Sequence, residues 1–356
     1  MKKLNTFQKY FVEEFYDDYR EGTISRRTFI RRVAYITGGM AAAASTMSLL
    51  GCSAEELPDP TAPIPTAEPT DPLVDPTATT PPDPTATTPP DPTAEPTEEV
   101  VVSETTEPEA IVQPVSGAKS PYSVPIGDPA VEAGIVAFES QGDQIAGYLA
   151  QPAEEGVYPA VLVCHENRGL NLHIEDVARR FAKEGYVALA IDLLSREGGS
   201  STFDRDEVPG LLSNASSERH VNDFIAGFDY LQSLDSVDGE RIGMTGYCFG
   251  GGITWRMAVA EPDLKAAVPF YGVGPELDQV GNINAAVMGV YAEMDERINA
   301  GKDALDQALT EAGVTHQMNV YPGVNHAFHN DTGERYVEEQ ATQAWLDTLA
   351  WFEEYL

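Results

Sequence analysis

A glycine-rich turn at residues 246–252, GYCFGGG, constrains the fold more than any other stretch of this sequence. The apolar run RIGMT precedes it and the helix-like run ITWRMAVAE follows it. A strand that turns sharply into a helix needs small residues at the corner, because the two elements approach each other closely there. The corner side chain, Cys248, is then lifted out of the sheet into a cleft, so we interpret this thiol as a candidate nucleophile.

The sequence before this turn alternates between strand and helix patterns. An opening hairpin is predicted at residues 134–152, and the apolar runs at 159–166 and 186–194 are typical of strands buried on both faces. Amphipathic helices are predicted between and after these strands, at 174–185 and 218–234. This rhythm predicts an α/β fold, in which a mostly parallel sheet of about eight strands is covered by helices on both faces.

Partners for the Cys248 thiol are expected at the carboxyl ends of other strands, where parallel sheets bind their ligands. Asp295 follows the apolar run AAVMGVYAEM, and His326 follows the last predicted strand. The chain order of nucleophile, acid and histidine is that of the α/β-hydrolase fold. Alternatives lie nearby in the sequence: Glu293 and Glu296 for the acid, and His329 for the histidine.

Three segments, GYCFGG, the stretch around Asp295 and the NHAF stretch around His326, resemble the dienelactone hydrolase family. The resemblance implies an α/β-hydrolase fold and a triad of Cys248, His326 and Asp295. It also implies cleavage of an ester or lactone through a thioester intermediate, with no cofactor. The backbone N–H groups of Phe249 and Asn167 are the expected donors to the oxyanion, since such donors must point at the developing charge.

The resemblance, which covers roughly residues 134–356, extends to two supporting side chains. Glu166, in the HENRGL loop, matches a glutamate near the nucleophile, although it could instead cap the following helix or pair with Arg168. Arg196 matches the first of two arginines that hold a substrate carboxylate in the family, but Asn330 occupies the second position. A neutral ester or lactone, or a different anion, is therefore expected as readily as a dicarboxylate-like substrate.

Other roles for the cysteines and histidines find little support in the sequence. Cys164 lies inside an apolar strand and is expected in the core, and a disulfide between it and Cys248 would inactivate the site. The absence of a CxxC motif argues against a redox protein, and GYCFGGG lacks the ending of a phosphate-binding loop. No metal is expected, because the spacing of the residues in question does not suit one: Cys164, His165, His326 and His329.

Residues 1–51 are interpreted as an export signal. The segment SRRTFIR at 25–31 resembles a twin-arginine motif, and a weakly apolar stretch follows at 33–50. The sequence LLGC, which ends at Cys52, resembles a lipoprotein cleavage box and implies cleavage before Cys52 and a lipid on its sulfur. We therefore expect export by the twin-arginine machinery and anchoring to the outer face of the cell membrane. The alternative is a poor transmembrane helix at 33–50.

Residues 52–120 are rich in proline, threonine and acidic side chains and contain the repeat DPTATTPP twice, so they are predicted to be a disordered linker. The catalytic domain is then expected at 121–356, where an insertion at 201–217 shapes the pocket entrance. The formal net charge is −35, which disfavours binding to nucleic acid. The expected partner, a small-molecule ester or lactone, is what the family resemblance implies. The alternative function is a lipid-anchored binding protein that keeps the hydrolase fold without turnover.

Overall fold

The computed structural model describes residues 4–39, 43 and 112–356. The LLGC motif, Cys52 and most of the predicted linker lie outside the described residues. Within the described ranges, every helix is too short or too polar to cross a membrane.

A sheet of eight strands forms the centre of the domain, in the order β1-β2-β4-β3-β5-β6-β7-β8. The first two strands form the predicted antiparallel hairpin, β2 pairs antiparallel with β4, and all later pairings are parallel. The α/β-hydrolase fold class is therefore confirmed. The strands are β1 (Val131–Ser140), β2 (Asp143–Pro152), β3 (Tyr158–Cys164), β4 (Val187–Ile191), β5 (Val237–Tyr247), β6 (Ala266–Phe270), β7 (Ala286–Ala292) and β8 (His316–Tyr321).

The central strands are covered on both faces, as their continuous apolar runs predict. Every residue of β4, β6 and β7 is buried, which requires packed elements above and below the sheet. The helices that follow the first strands of the domain are α3 (Leu172–Lys183), α4 (Val208–Asn214), α5 (Ser217–Gln232), α6 (Phe249–Ala260), α7 (Glu296–Asn299), α8 (Lys302–Ala312) and α9 (Glu338–Tyr355).

The N-terminal segment, interpreted from sequence only as an export signal, folds into two helices, α1 (Thr6–Arg20) and α2 (Arg26–Thr37). Asn5 closes a capping box at the start of α1, and Ser25 caps α2. Gly38 ends α2 in the left-handed conformation, at φ 83°. These residues, 5–38, are called the N-terminal hairpin below. They belong to the same compact unit as the hydrolase domain.

Residues just before 121, the boundary expected from composition, also contact the domain. Gln113 pairs with Ile126 in an isolated antiparallel bridge, and Val115 is buried. The backbone N–H groups of Lys119 and Ser120 donate to Asp331 Oδ2, at 3.2 and 3.0 Å. The side chain of Asp331 is completely buried, so these two donors help to compensate its charge. The composition of the predicted linker, which is acidic and rich in proline, gives no indication of this contact.

Candidate active site

Cys248 occupies a strained corner between β5 and α6. Its backbone has φ 58° and ψ −118°, a conformation that costs free energy and is found mainly at functional sites. The flanking glycines are required by close contacts: a Cβ at Gly246 would lie 2.4 Å from the carbonyl oxygen of Gly250, and a Cβ at Gly250 would lie 2.5 Å from that of Cys164. The turn is the sharp strand-to-helix corner that its glycines predict.

His326 and Asp295 form a buried pair at the same edge of the sheet. Asp295 Oδ2 lies 2.6 Å from His326 Nδ1, and Asp295 Oδ1 accepts a hydrogen bond of 3.2 Å from the N–H of Ile298 at the start of α7. These two contacts fix the carboxylate and leave the other ring nitrogen, Nε2, without a hydrogen-bond partner in the described ranges. A histidine oriented in this way suits proton transfer to a nearby nucleophile.

Two side chains of α1 contact the thiol directly. Tyr10 Oη lies 3.3 Å from Cys248 Sγ, and both carboxylate oxygens of Glu14 lie 3.6 Å from the same sulfur. The amide of Asn167 donates a 2.5 Å hydrogen bond to Glu14 Oε1. Only 3% of the Cys248 surface is exposed as a result of this packing and that of the domain.

The buried charges set the protonation of the site. Burial lowers the pKa of His326, but the charges and hydrogen bonds of Asp295 and Cys248 together outweigh it and hold this pKa well above its usual value. Burial raises the pKa of Asp295, and the charge and hydrogen bond of His326 reverse this to a net lowering. The pKa of Cys248 is raised by burial and then by the negative charge of Glu14. The carboxylate of Asp295 therefore stabilises the imidazolium that forms when His326 accepts a proton.

Comparison with known proteins decides the family. The dienelactone hydrolase family matches residues 145–356. The chain belongs to this family. The prediction of an enzyme of this hydrolase family is confirmed with it.

Individual relatives agree with this assignment. A Salmonella typhi protein whose name places it among the carboxymethylenebutenolidases is 36% identical over 266 residues, covering 70% of this chain and 97% of its own. A Methylorubrum extorquens protein with the same name is 36% identical over 236 residues, covering 63% of this chain and 81% of its own. The solved structure of a Klebsiella pneumoniae protein, titled as a dienelactone hydrolase, is 34% identical with a TM-score of 0.60. It matches 64% of this chain and 100% of its own length.

Glu166, the glutamate that the family resemblance singles out, lies in the cavity beside Cys248 but makes no recorded hydrogen bond to it. Its Oε2 accepts from the amide of Asn330, while its buried Oε1 has no partner among the described residues. Asn330, which stands where the family has its second arginine, thus binds Glu166.

The contacts of Arg196 contradict the role in substrate binding that the family resemblance implied. Its Nη1 and Nε donate to the carboxylates of Asp223 and Asp143, at 2.6 and 2.7 Å, and its Nη2 donates to the carbonyl oxygen of Ser140 at 3.0 Å. It does not line the cavity that contains Cys248. Two carboxylates already neutralise this guanidinium, so it ties the β1–β2 hairpin to α5.

Other arginines lie at the thiol instead. A cavity of about 360 Å³ lies between the hairpin and the domain, with Cys248, Glu14 and Glu166 in its wall. Arg168 donates to the carbonyl oxygen of Arg205 at 3.1 Å and forms no salt bridge within the described ranges. The guanidinium groups that line the cavity belong to Arg32, Arg168, Arg205 and Arg335. A substrate anion would find donors here, at positions other than the two arginine positions of the family.

The two proposed oxyanion donors lie beside the thiol. Phe249 is the first residue of α6, and Asn167 follows β3. Neither backbone N–H is engaged in a hydrogen bond within residues 4–39 and 112–356. Both remain available to a negatively charged oxygen.

The alternative site residues lie in other environments. Glu293 is exposed and accepts from the N–H of Gly323 at 2.8 Å. His329 is buried, stacks on Tyr247 at 5.0 Å between ring centroids, and has its pKa pushed well below the usual value by burial. Cys164 is fully buried in β3 and, like Cys248, is a free thiol, so the disulfide alternative is wrong.

One group of side chains has the chemistry of metal ligands. Glu14, Cys248 and His326 place ligand atoms within 4.8 Å of one another. This cluster includes a residue of the hairpin, and sequence reasoning missed both Glu14 and Tyr10. The available signal was the helical spacing of aromatic side chains in TFQKYFVEEFYDDYR, which predicts a buried face for α1.

Proposed function

We propose that this chain is a cysteine hydrolase of small esters or lactones, with a triad of Cys248, His326 and Asp295. One observation carries the proposal: the strained Cys248 lies at the same sheet edge as a histidine held by a 2.6 Å contact to a buried carboxylate. A nucleophile, a base and an orienting acid on three separate strand ends form the arrangement that acyl transfer requires.

The proposed reaction proceeds in two halves. The Cys248 thiol gives its proton to His326 and attacks the acyl carbon, and the N–H groups of Phe249 and Asn167 stabilise the oxyanion. The alkoxide leaves with the proton from His326, which produces a thioester. Water, deprotonated by His326, then cleaves the thioester to a carboxylic acid and restores the thiol. The uncompensated Oε1 of Glu166 supports a role as a second acceptor for the thiol proton.

The cavity supports a substrate that carries a negative charge near the scissile bond. Arg168, without a salt bridge in the described ranges, is the proposed anion partner in place of Arg196. The names of the Salmonella and Methylorubrum relatives refer to carboxymethylenebutenolidases, which supports a lactone among the candidate substrates.

The test is hydrolysis of a panel of activated esters and lactones, with and without a carboxylate, by the purified full-length chain. Cys248→Ala should abolish turnover, and Cys164→Ala, which removes the other buried thiol, should leave it. Arg168→Gln should raise KM for the carboxylated substrates more than for the neutral ones. Turnover that survives Cys248→Ala would contradict the proposal. So would the absence of turnover in a folded, reduced chain whose Cys248 is accessible to substrate.

We also propose export through the twin-arginine route and lipid anchoring at Cys52. The segments SRRTFIR and LLGC support this proposal. Fatty-acid labelling of the chain in a bacterial host should be lost in Cys52→Ser, and replacement of Arg26 and Arg27 by lysine should retain the chain in the cytoplasm. Unlabelled wild-type chain in the membrane fraction would contradict the lipid anchor.

A further inference from the structure

We propose that the N-terminal hairpin is an intramolecular inhibitor of the hydrolase, which occupies the site at Cys248 until it is removed. The proposal rests on the proposed cysteine hydrolase function and adds its regulation. The hairpin would act by placing the carboxylate of Glu14 where the product carboxylate of the reaction belongs.

The contacts of Glu14 match those of a bound product. A carboxylic acid released from the thioester would lie against Cys248 Sγ and the loop of Asn167, beside His326. The carboxylate of Glu14 lies 3.6 Å from that sulfur and accepts a 2.5 Å hydrogen bond from the Asn167 amide. An acyl carbon must come within about 3–3.5 Å of the sulfur to react, and Glu14 and Tyr10 fill that space.

The charge of Glu14 also opposes activation of the thiol. A carboxylate beside a thiol favours the protonated, less nucleophilic form of sulfur. The pKa of Cys248 is raised first by burial and next by Glu14, so both effects of the docked hairpin act in the same direction. Burial raises the pKa of Glu14 itself, while His326 and Arg297 favour its charged form.

The face of α1 that meets the domain is built for this position. Its aromatic residues recur at helical spacing, and the rings of Phe7 and Phe11 pack on Phe249 at 4.9 and 5.4 Å between centroids. The guanidinium of Arg297 lies 4.6 Å from the centroid of the Tyr10 ring. A carboxylate in the middle of an apolar stripe is costly to bury, so Glu14 has a role that packing alone does not explain.

The surface of the domain that contacts the second helix of the hairpin belongs to the insertion at 201–217. Asp206 forms salt bridges with Arg31 and Arg32 of α2, the second with a contact of 2.8 Å. A Cβ at Gly210 would lie 2.9 Å from that of Tyr35, so the close approach of α2 to α4 depends on this glycine. The insertion, expected to shape the pocket entrance, thus contacts the second helix of the hairpin.

Inhibition and recognition of the hairpin are then coupled. Phe29 and Ile30 of the SRRTFIR segment are buried in the docked hairpin, where the ring of Phe29 stacks on Tyr19 of α1, while Arg27 is exposed. Any partner that binds the undocked segment opens the hydrolase site, and any ligand at Cys248 releases the hairpin, because such coupling is reciprocal. Cleavage before Cys52 would convert a tethered inhibitor into a separate peptide, which loses the high effective concentration of an intramolecular contact.

The decisive measurement is the rate at which iodoacetamide alkylates Cys248 in the full-length chain, with the modified thiol assigned by mass spectrometry. Phe11→Asp undocks the hairpin from its own side, and Gly210→Leu undocks it from the domain side. Both should raise the alkylation rate of Cys248 and the rate of ester hydrolysis by roughly 5- to 150-fold. Alkylation of the buried Cys164 reports unfolding, so the increase must be confined to Cys248.

Glu14→Gln tests the carboxylate and Glu13→Gln is its matched control. Glu13 is the adjacent residue, is partly exposed and pairs only with Lys9 among the described residues. Glu14→Gln should shift the pH profile of Cys248 alkylation to lower pH, whereas Glu13→Gln should leave it in place. All assays contain a chelator, so that a metal ion held by Glu14, Cys248 and His326 cannot imitate the inhibition.

Amide hydrogen exchange of the wild-type chain provides a second measurement that needs no substitution in the interface. Alkylation of Cys248 should speed exchange in residues 6–20, because the added group takes the place of Glu14. The proposal is overturned if wild-type and undocked chains are alkylated at equal rates, or if undocking lowers ester hydrolysis, which would make Glu14 and Tyr10 parts of the working site. Undocking that raises alkylation without any turnover would overturn the hydrolase function and leave the docking intact.

Discussion

The hydrolase domain and the N-terminal hairpin both bury aromatic and aliphatic side chains, but only the domain has a core of its own. Strands β4, β6 and β7 are buried along their whole length, and each pairs with a neighbouring strand on both sides. The hairpin consists of helices of 15 and 12 residues, lengths at which isolated helices are marginal in water. Its order therefore derives from docking, and the hairpin is the part of the molecule that can leave.

The largest effect on activity is expected from a substitution in the domain, at Asp295. Asp295→Asn removes the charge that favours the protonated His326 and the group that fixes its tautomer. We expect kcat for ester hydrolysis to fall by about 10⁴-fold, measured in the undocked Phe11→Asp chain so that the hairpin does not limit the rate. Glu293→Gln, the exposed alternative acid, is the control and should retain activity. Equal losses in both variants would contradict the assignment of the acid.

The next prediction concerns stability: core substitutions in the domain and in the hairpin should have different effects on the free energy of unfolding. Leu162 is fully buried in β3. Leu162→Ala should lower the free energy of unfolding by about 2–5 kcal/mol, because the substitution leaves a cavity that the surrounding core cannot fill. Phe15→Ala, equally buried but in the hairpin, should speed hydrogen exchange in α1 and leave the main denaturant transition almost unchanged. If Phe15→Ala lowers the free energy of unfolding as much as Leu162→Ala does, the hairpin and the domain unfold as one unit.

The same difference explains what could be predicted from the sequence. The apolar runs of β3 to β8 and the glycines around Cys248 act locally, so the sheet, its turn and the strand-end positions of Asp295 and His326 follow from the sequence pattern. The contacts of Glu14 with Cys248 join residues 234 positions apart, and periodicity does not indicate which surface an amphipathic helix covers.

Arg196 illustrates the complementary failure. A motif can give the position of an arginine but not the charges around it, and here Asp143 and Asp223 take up its donors. Asn330 shows the reverse, because the sequence alone shows that an asparagine replaces the second arginine of the family, while only the structure shows its contact with Glu166.

Acid should weaken the boundary between the two regions through His220. This ring lies 5.4 Å from that of Phe249 and 6.2 Å from that of Phe7, and burial lowers its pKa to about 3. The unfolded chain, with an ordinary histidine pKa of about 6.5, binds more protons between these two values. The free energy of unfolding should therefore fall as the pH falls through this window, by up to about 1.4 kcal/mol per pH unit from this group.

Denaturant titrations between pH 7 and 4 test this contribution. His220→Gln should flatten the pH dependence relative to the wild-type chain. The interpretation fails if the variant and the wild-type chain show the same slope.

The smallest expected effect concerns the ion pairs at the rim of the hairpin. Arg335 donates to Asp18 and Glu21 of the hairpin, at 2.6 and 2.7 Å, but its side chain is 22% exposed, so solvent screens these pairs. Arg335→Gln should weaken docking by about 0.2–1 kcal/mol, which corresponds to roughly 1.4- to 5-fold faster alkylation of Cys248. Added salt should speed alkylation of the wild-type chain and narrow its difference from the variant.

Arg241→Gln is the matched control for this change. Arg241 lies on β5, where it pairs weakly with Asp238 at 4.0 Å and donates to the carbonyl oxygen of Leu356. Neither partner belongs to the hairpin. It should leave the alkylation rate of Cys248 unaltered at every salt concentration. An effect of Arg335→Gln as large as that of Phe11→Asp would mean that charge, rather than the aromatic stripe, holds the hairpin on the domain. The hairpin would then be released by salt alone, and the order of importance argued for its two kinds of contact would be reversed.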